Sequence, residues 1–203
     1  VTWVKICGIT SVDALGAAQD GGADAVGFVI APNSPRTLDI TIAASLIART
    51  DLPTFLVSVD LTPSGAKAAM LATGADGVQP HGDHAHDVVK LAVEEDWRAL
   101  FPIPVGDGGF RSEPAAVPSE VLPLFDTASS RIHGGTGASF DWTILEGVTR
   151  PFVLAGGLGV DNVADAITSV RPFGVDASSR LEVSPGVKDP DTIRMFIQEA
   201  KSA

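Results

Sequence analysis

The chemistry-bearing residues of this chain begin with its only cysteine, Cys7, which stands in the stretch Lys5-Ile6-Cys7-Gly8-Ile9-Thr10. Trp3, Val4 and Ile6 lead up to it as a short buried strand would, and Gly8 releases the backbone before a helix begins near Ser11. A thiol at the end of a strand is well placed for chemistry if the strand belongs to a closed parallel barrel, because such folds work at the C-terminal mouth. The residues just after the other apolar runs fit the same idea. They are Arg36, Gln79, His81, Asp126, Gly156, Gly157, Asp176, Ser178 and Ser179. A thiol, carboxylates, a guanidinium and two small-residue loops after the last two runs suit a phosphorylated, otherwise anionic small molecule, since barrels bind phosphate through backbone N–H groups near those last loops.

Each of these residues has a plainer reading. A lone cysteine is more often a small buried hydrophobe than a reactive group. An aspartate after a strand commonly caps the next segment. His81 could serve a local hydrogen bond, Arg36 a solvated charge, and Gly156-Gly157 a tight turn. Only their joint placement shifts the balance towards a site.

The elements that must position them read as alternating strands and helices. Apolar runs at Trp3–Ile6, Ala25–Ile30, Phe55–Val59, Gly77–Gln79, Ala99–Val105, Val121–Phe125, Phe152–Ala155 and Phe173–Ala177 are the expected strands, the fourth cut short by Pro80. Helical spacing with caps or stops recurs from Val12 to Gly21, Ile40 to Ala48, Pro63 to Thr73, Val88 to Val93, Val160 to Thr168 and Ile193 to Ala200. The stretch 106–119 reads as loop with at most one short helix, and Gly134, Gly135 and Gly137 mark a long flexible loop. Eight strands without hairpin signals predict an α/β fold, a (β/α)8 TIM barrel in a single domain spanning 1–203. A flavodoxin-like or Rossmann sheet is the rival, weakened by the lack of G-x-G-x-x-G after the first strand.

Composition narrows the partners. The chain has 203 residues, 45% of them hydrophobic, and a formal net charge of -11. That acidic balance argues against nucleic acid, which is bound through surplus Lys and Arg. One cysteine makes no internal disulfide, and no Cys/His spacing suggests a metal. No basic-then-apolar leader and no apolar run near the ~18 residues of a membrane span are visible. The expected protein is cytoplasmic, without membrane or metal, and a monomer or homodimer.

Taken in order, the motifs resemble the phosphoribosylanthranilate isomerase family of tryptophan biosynthesis. The matching strings are KICGIT (5–10), GADAVGFV (22–29), SPR (34–36), VQPHG (78–82), the Asp126 strand end and GGTGASFDW (134–142). They continue with LAGGL (154–158), NVADAI (162–167), PFGVDASS (172–179) and PGVKD (185–189). The resemblance implies a (β/α)8 barrel and a cofactor-free Amadori rearrangement of N-(5-phosphoribosyl)anthranilate. It implies Cys7 as general base at sugar C2 and Asp126 as general acid at the ribose ring oxygen. Arg36 would clamp the anthranilate carboxylate, Gly156, Gly157, Ser178 and Ser179 would hold the phosphate, Asp176 would contact a sugar hydroxyl, and Gln79 and His81 would complete the substrate contacts. Aspartate is ordinarily ionised at pH 7 and cysteine ordinarily a thiol, so both need an environment that shifts them. Lys5 is not given that task, because neighbouring strand residues face opposite ways. The chain departs from the family pattern at Arg180, where Gly is usual after the serines, at Ser58-Val59-Asp60-Leu61, at Pro80 and at 106–109. A binding barrel without catalysis, and a histidine-pathway sugar-phosphate isomerase, are the competing functions; the second generally has aspartate where Cys7 stands.

Overall fold

The structure, a computed structural model, describes residues 1–106, 108–127 and 140–203. Its strands are β1 (Trp3–Cys7), β2 (Ala25–Val29), β3 (Thr54–Val59), β4 (Gly77–His81), β5 (Arg98–Gly106), β6 (Leu122–Thr127), β7 (Val153–Leu154) and β8 (Gly174–Ala177). Each is parallel to the next, and β8 returns to pair with β1, so the sheet closes on itself. Helices α1 (Val12–Gly21), α2 (Ile40–Ile47), α3 (Pro63–Thr73), α4 (Ala85–Glu94), α5 (Val163–Val170) and α6 (Pro190–Ser202) accompany it. The (β/α)8 expectation holds, and the open-sheet rival does not. The glycine-rich loop expected around Gly134, Gly135 and Gly137 lies outside the described residues.

Local signals account for the helix ends. The Ser11 hydroxyl accepts from Ala14 N, and Gly22 ends α1 in the left-handed region at φ 83°. Thr62 caps α3, Pro63 occupies its first turn, and Gly74 stops it at φ 69°. These are inexpensive terminations, because glycine meets no Cβ clash at positive φ.

The period of two along each strand sorts the interior. Val4 and Ile6 of β1 join the large cluster shared with the helices, whereas Cys7 joins Val29, Ala31 and Val57 at the barrel mouth. Ala25, Phe55, Leu100, Leu124 and Val153 fill the barrel lower down, with Trp3 packed against them. Between floor and mouth sits Lys5, wholly buried.

Strand β4 runs through Pro80 to His81, beyond its expected end, and β5 runs through Pro102 and Pro104. Pairing of β4 with β5 stops at Val78↔Ala99. Arg98 N donates to Asp76 O, and Pro104 O accepts from Arg111 N, so even-numbered residues of β5 turn their polar groups towards the β4 side. There the ladder has already lapsed, and a proline's missing N–H removes no strand bond. Where the sequence pattern allows one short helix, Pro114–Ala116 forms a 3-10 turn, next to a two-residue strand at Gly109–Phe110.

The segment entering β6 is held by one side chain. The Arg150 guanidinium donates to the carbonyls of Pro114, Val117, Pro118 and Val121 at 3.3, 2.7, 2.8 and 2.7 Å. Arg150→Met leaves those carbonyls without the cation and is expected to lower unfolding stability by roughly 2 kcal/mol. Urea denaturation followed by tryptophan fluorescence measures it, and an unchanged midpoint would refute this account of the segment.

Candidate active site

At the mouth lies a cavity of ≈ 440 Å³, within the range of small-molecule sites. Cys7 and Asp126 line it from β1 and β6, and Gln79, His81 and Asp176 from β4 and β8. Arg36 enters from the loop after β2, while Gly156, Gly157, Ser178 and Ser179 form the rim after β7 and β8. Every site residue expected from sequence is thus brought to one concave surface. The reason is topological: all eight strands point the same way, so their C-terminal ends and the loops after them gather at one end of the barrel.

Gly8 lets the mouth close tightly. At its φ of 74° an added Cβ would lie 2.6 Å from Arg36 Cδ and 3.0 Å from Ser178 Oγ. The residue after Cys7 is therefore the floor on which Arg36 rests. The Arg36 guanidinium makes a two-point pair with Glu182, Nε to Oε1 at 2.7 Å and Nη2 to Oε2 at 2.8 Å. Lys188 Nζ reaches the same carboxylate at 2.7 Å and also donates to Ser178 O at 3.0 Å and to Ser178 Oγ at 3.2 Å. Glu182 and Lys188 belong to a short antiparallel hairpin, Glu182–Ser184 with Val187–Lys188, whose local sequence signal is the Pro185-Gly186 turn, with Gly186 at φ 84°. Glu182 is not part of the cavity wall, so it braces Arg36 from behind and leaves Nη1 outside this two-point pairing. Lys188 has a signal in the PGVKD string, but nothing near Glu182 in the sequence points to Arg36.

The rim glycines have a backbone that other residues rarely adopt, Gly156 at φ 88° and Gly157 at φ 64°. A Cβ on Gly156 would lie 2.3 Å from Thr127 Oγ1 and 3.0 Å from Asp126 Oδ1. Asn162 fixes the loop through Gly157 O and Gly159 N, at 3.0 and 2.8 Å. Arg180 does not crowd this loop. Its Nη1 donates to Gly157 O at 3.0 Å, and its Nη2 spans both Asp161 oxygens at 2.8 Å.

Lys5 requires a correction. It lies two residues from Cys7, not one, and strand side chains alternate with a period of two, so both face the interior. In the β1–β8 register Lys5 stands opposite Asp176, and its ammonium contacts the two Asp176 oxygens at 3.1 and 3.0 Å. Gln79 Oε1 accepts from it at 2.9 Å. Burial alone would pull Lys5 down, but the Asp176 and Cys7 charges outweigh it, and the lysine titrates above its ordinary value. Gln79 Nε2 and His81 Nε2 stand 3.4 Å apart, the local contact foreseen for His81.

The two groups that could exchange protons are displaced from their ordinary values. Burial pushes the Asp126 carboxyl up to about 7, the Asp176 charge adds to the rise, and the Thr127 N–H and the Lys5 ammonium oppose it. Burial also pushes the Cys7 thiol up, against the attraction of Lys5. A carboxyl near 7 is suited to donate a proton at neutral pH, and it sits in the same cavity as a group able to accept one.

Residues 4–199 match the family model described as N-(5'-phosphoribosyl)anthranilate (PRA) isomerase. The chain belongs to that family. The isomerase of Pseudomonas fluorescens (strain Pf0-1) is 39% identical over 97% of both chains. Phosphoribosyl anthranilate isomerase of Thermotoga maritima superposes with a TM-score of 0.89 at 34% identity, covering all of each chain. Another phosphoribosyl anthranilate isomerase, solved in complex with reduced 1-(o-carboxyphenylamino)-1-deoxyribulose 5-phosphate, gives a TM-score of 0.85 at 32% identity, again over all of each chain. The full-length matches place this chain's barrel and mouth within the isomerase family's architecture.

The raised Asp126 makes a stability prediction whose sign is fixed. Unfolded, the carboxyl titrates near its ordinary value of 3.8; folded, it titrates at about 7. Between those values the folded state holds the extra proton, so stability from this group is present at low pH and lost as pH rises towards 7. Asp126→Asn is expected to stabilise the fold by on the order of 1–3 kcal/mol at alkaline pH and hardly at all near pH 4. Urea unfolding of both proteins across pH tests it, and a pH-independent difference would contradict the assigned shift.

Proposed function

We propose that the chain converts N-(5'-phosphoribosyl)anthranilate to 1-(2-carboxyphenylamino)-1-deoxyribulose 5-phosphate, with Cys7 and Asp126 as the proton-transfer pair. The observation that carries this reading is the convergence of a thiol and a carboxyl titrating at about 7 on one cavity. Family membership makes the chain a phosphoribosylanthranilate isomerase of tryptophan biosynthesis. The finer assignment of roles rests on the geometry and on chemical fit.

The substrate has three parts, and the mouth offers a match to each. Arg36, braced by Glu182, presents guanidinium N–H donors suited to the anthranilate carboxylate. The Gly156-Gly157 and Ser178-Ser179 rims present backbone and hydroxyl groups suited to the phosphate. Between them, Asp176, Gln79 and His81 take the sugar hydroxyls. Protonated Asp126 donates to the ribose ring oxygen as the C1–O bond breaks, and the anilino nitrogen lone pair forms the C=N bond of a Schiff base. Cys7 thiolate then removes the C2 proton. The electron pair of the C2–H bond moves into C1=C2, the nitrogen takes the C=N pair, and the resulting enolamine tautomerises to the ketone. No net redox partner is consumed.

This reading fixes a pH profile. Between the two titrations the pair holds about one proton, mostly on the thiol, because Cys7 titrates above Asp126. The working arrangement, thiolate with protonated carboxyl, carries that same single proton. kcat/KM is therefore flat between the two titrations and falls roughly tenfold per pH unit below about 7, where both groups are protonated. It falls again above the thiol's titration, where both have lost their protons. Fluorescence decay of phosphoribosylanthranilate measures this, with the histidine-pathway aminoaldose as the control substrate. Cys7→Ala and Asp126→Asn are each expected to lose at least about two orders of magnitude in kcat. Folded variants that keep substantial turnover, or a wild-type protein that consumes only the control substrate, would reject the assignment.

A further inference from the structure

The barrel interior holds a charged group with no part in the roles assigned above. Lys5 is wholly buried and does not line the cavity, so it touches no substrate. Its ammonium is fixed from two sides, by Asp176 of β8 at 3.0 Å and by Gln79 of β4 at 2.9 Å. The face it turns to Cys7 is crossed by Gly27 of β2, the register partner of Cys7. A Cβ added there would lie 3.0 Å from Cys7 Sγ and 3.1 Å from Lys5 Nζ. Sulfur and ammonium thus approach the same backbone point, and glycine puts no side chain between them.

We propose that Lys5 is a positioning residue for the proton-abstracting step, supplying from beneath the site the fixed positive charge that stabilises the Cys7 thiolate. The proposal rests on the reading of Cys7 as base and adds what makes that base available. A thiol buried among apolar groups resists ionisation, and an ammonium at close range is the ordinary remedy. The charged groups facing the thiol are Lys5 on its own strand, Asp176 on β8 and Lys188 from the hairpin, while Arg36 and Asp126 line the same cavity. Burial raises Cys7, and among the opposing influences that of Lys5 is the largest, ahead of Lys188; Asp176 acts the other way. Lys5 and Asp176 therefore pull the thiol in opposite directions although they are bonded to each other.

The test uses the absence of any second cysteine. The rate of iodoacetamide alkylation of the full chain against pH reports the ionisation of Cys7 alone. K5M is expected to move the midpoint up by about one pH unit or more, a tenfold loss of thiolate at neutral pH. D176N is expected to move it down. Because K5M leaves a buried carboxylate unpaired and could impair folding, K5M/D176N removes both charges with near-isosteric groups. Its midpoint is expected to lie above wild type, since the lysine outweighs the aspartate. The alkaline limb of kcat/KM should track the alkylation midpoint in each folded variant. Wild-type midpoints in K5M/D176N, and in K5M where it folds, would overturn the proposal and leave Lys5 a structural plug. Shifted midpoints in the variants, beside a wild-type protein that fails to turn over phosphoribosylanthranilate, would support the charge assignment and count against the isomerase reading.

Discussion

A positive charge sealed inside the barrel is the constraint on which the rest of this structure depends. Lys5 has no access to water, and an ammonium there is tolerable only if every donor finds an acceptor. Asp176 and Gln79 answer that demand from β8 and β4. Asp176 is also the register partner of Lys5 across the seam where the last strand meets the first. Closing the sheet and neutralising the buried lysine are therefore one event.

The same charges set the electrostatics of the mouth. Asp176 helps raise Asp126, Lys5 opposes that rise, and the two act with reversed signs on Cys7. Asp126 and Cys7 thus lie in one field, to which Lys5 and Asp176 both contribute. Burial supplies the larger part of both shifts, which is why a site with so few ionisable groups can hold a carboxyl near neutrality.

A second charged cluster organises the other wall. Glu182 is shared by Arg36 and Lys188, and it ties the loop after β2 to the hairpin after β8. Thr10 joins this strap through Gly186 O at 2.8 Å. Arg36 is consequently a held fork at the cavity wall, with less rotamer freedom than a solvated side chain has. Across the rim, Arg180 plays a comparable part for Gly157, turning a departure from the family pattern into a brace.

The amino-acid sequence by itself determined the class of fold and which residues gather at the cavity. Alternating apolar runs and capped helices specify parallel units, and in a closed parallel barrel the residues after the strands have only one place to gather. Cys7, Asp126, Arg36 and the glycine and serine rims were legible for that reason. The interior pairing was not. Which residue stands beside Lys5 depends on the register between strands far apart in the chain, and nothing local marks Asp176 or Gln79 as its partners. Glu182 behind Arg36 was hidden in the same way, because a carboxylate in a two-strand hairpin carries no periodic signal. Pro80 misled in the opposite direction, ending the expected fourth strand too early, since a proline's tolerance in a strand depends on whether a neighbour needs its N–H. Sequence chose the chemical groups; tertiary structure, by setting distances and excluding water, decided their charges.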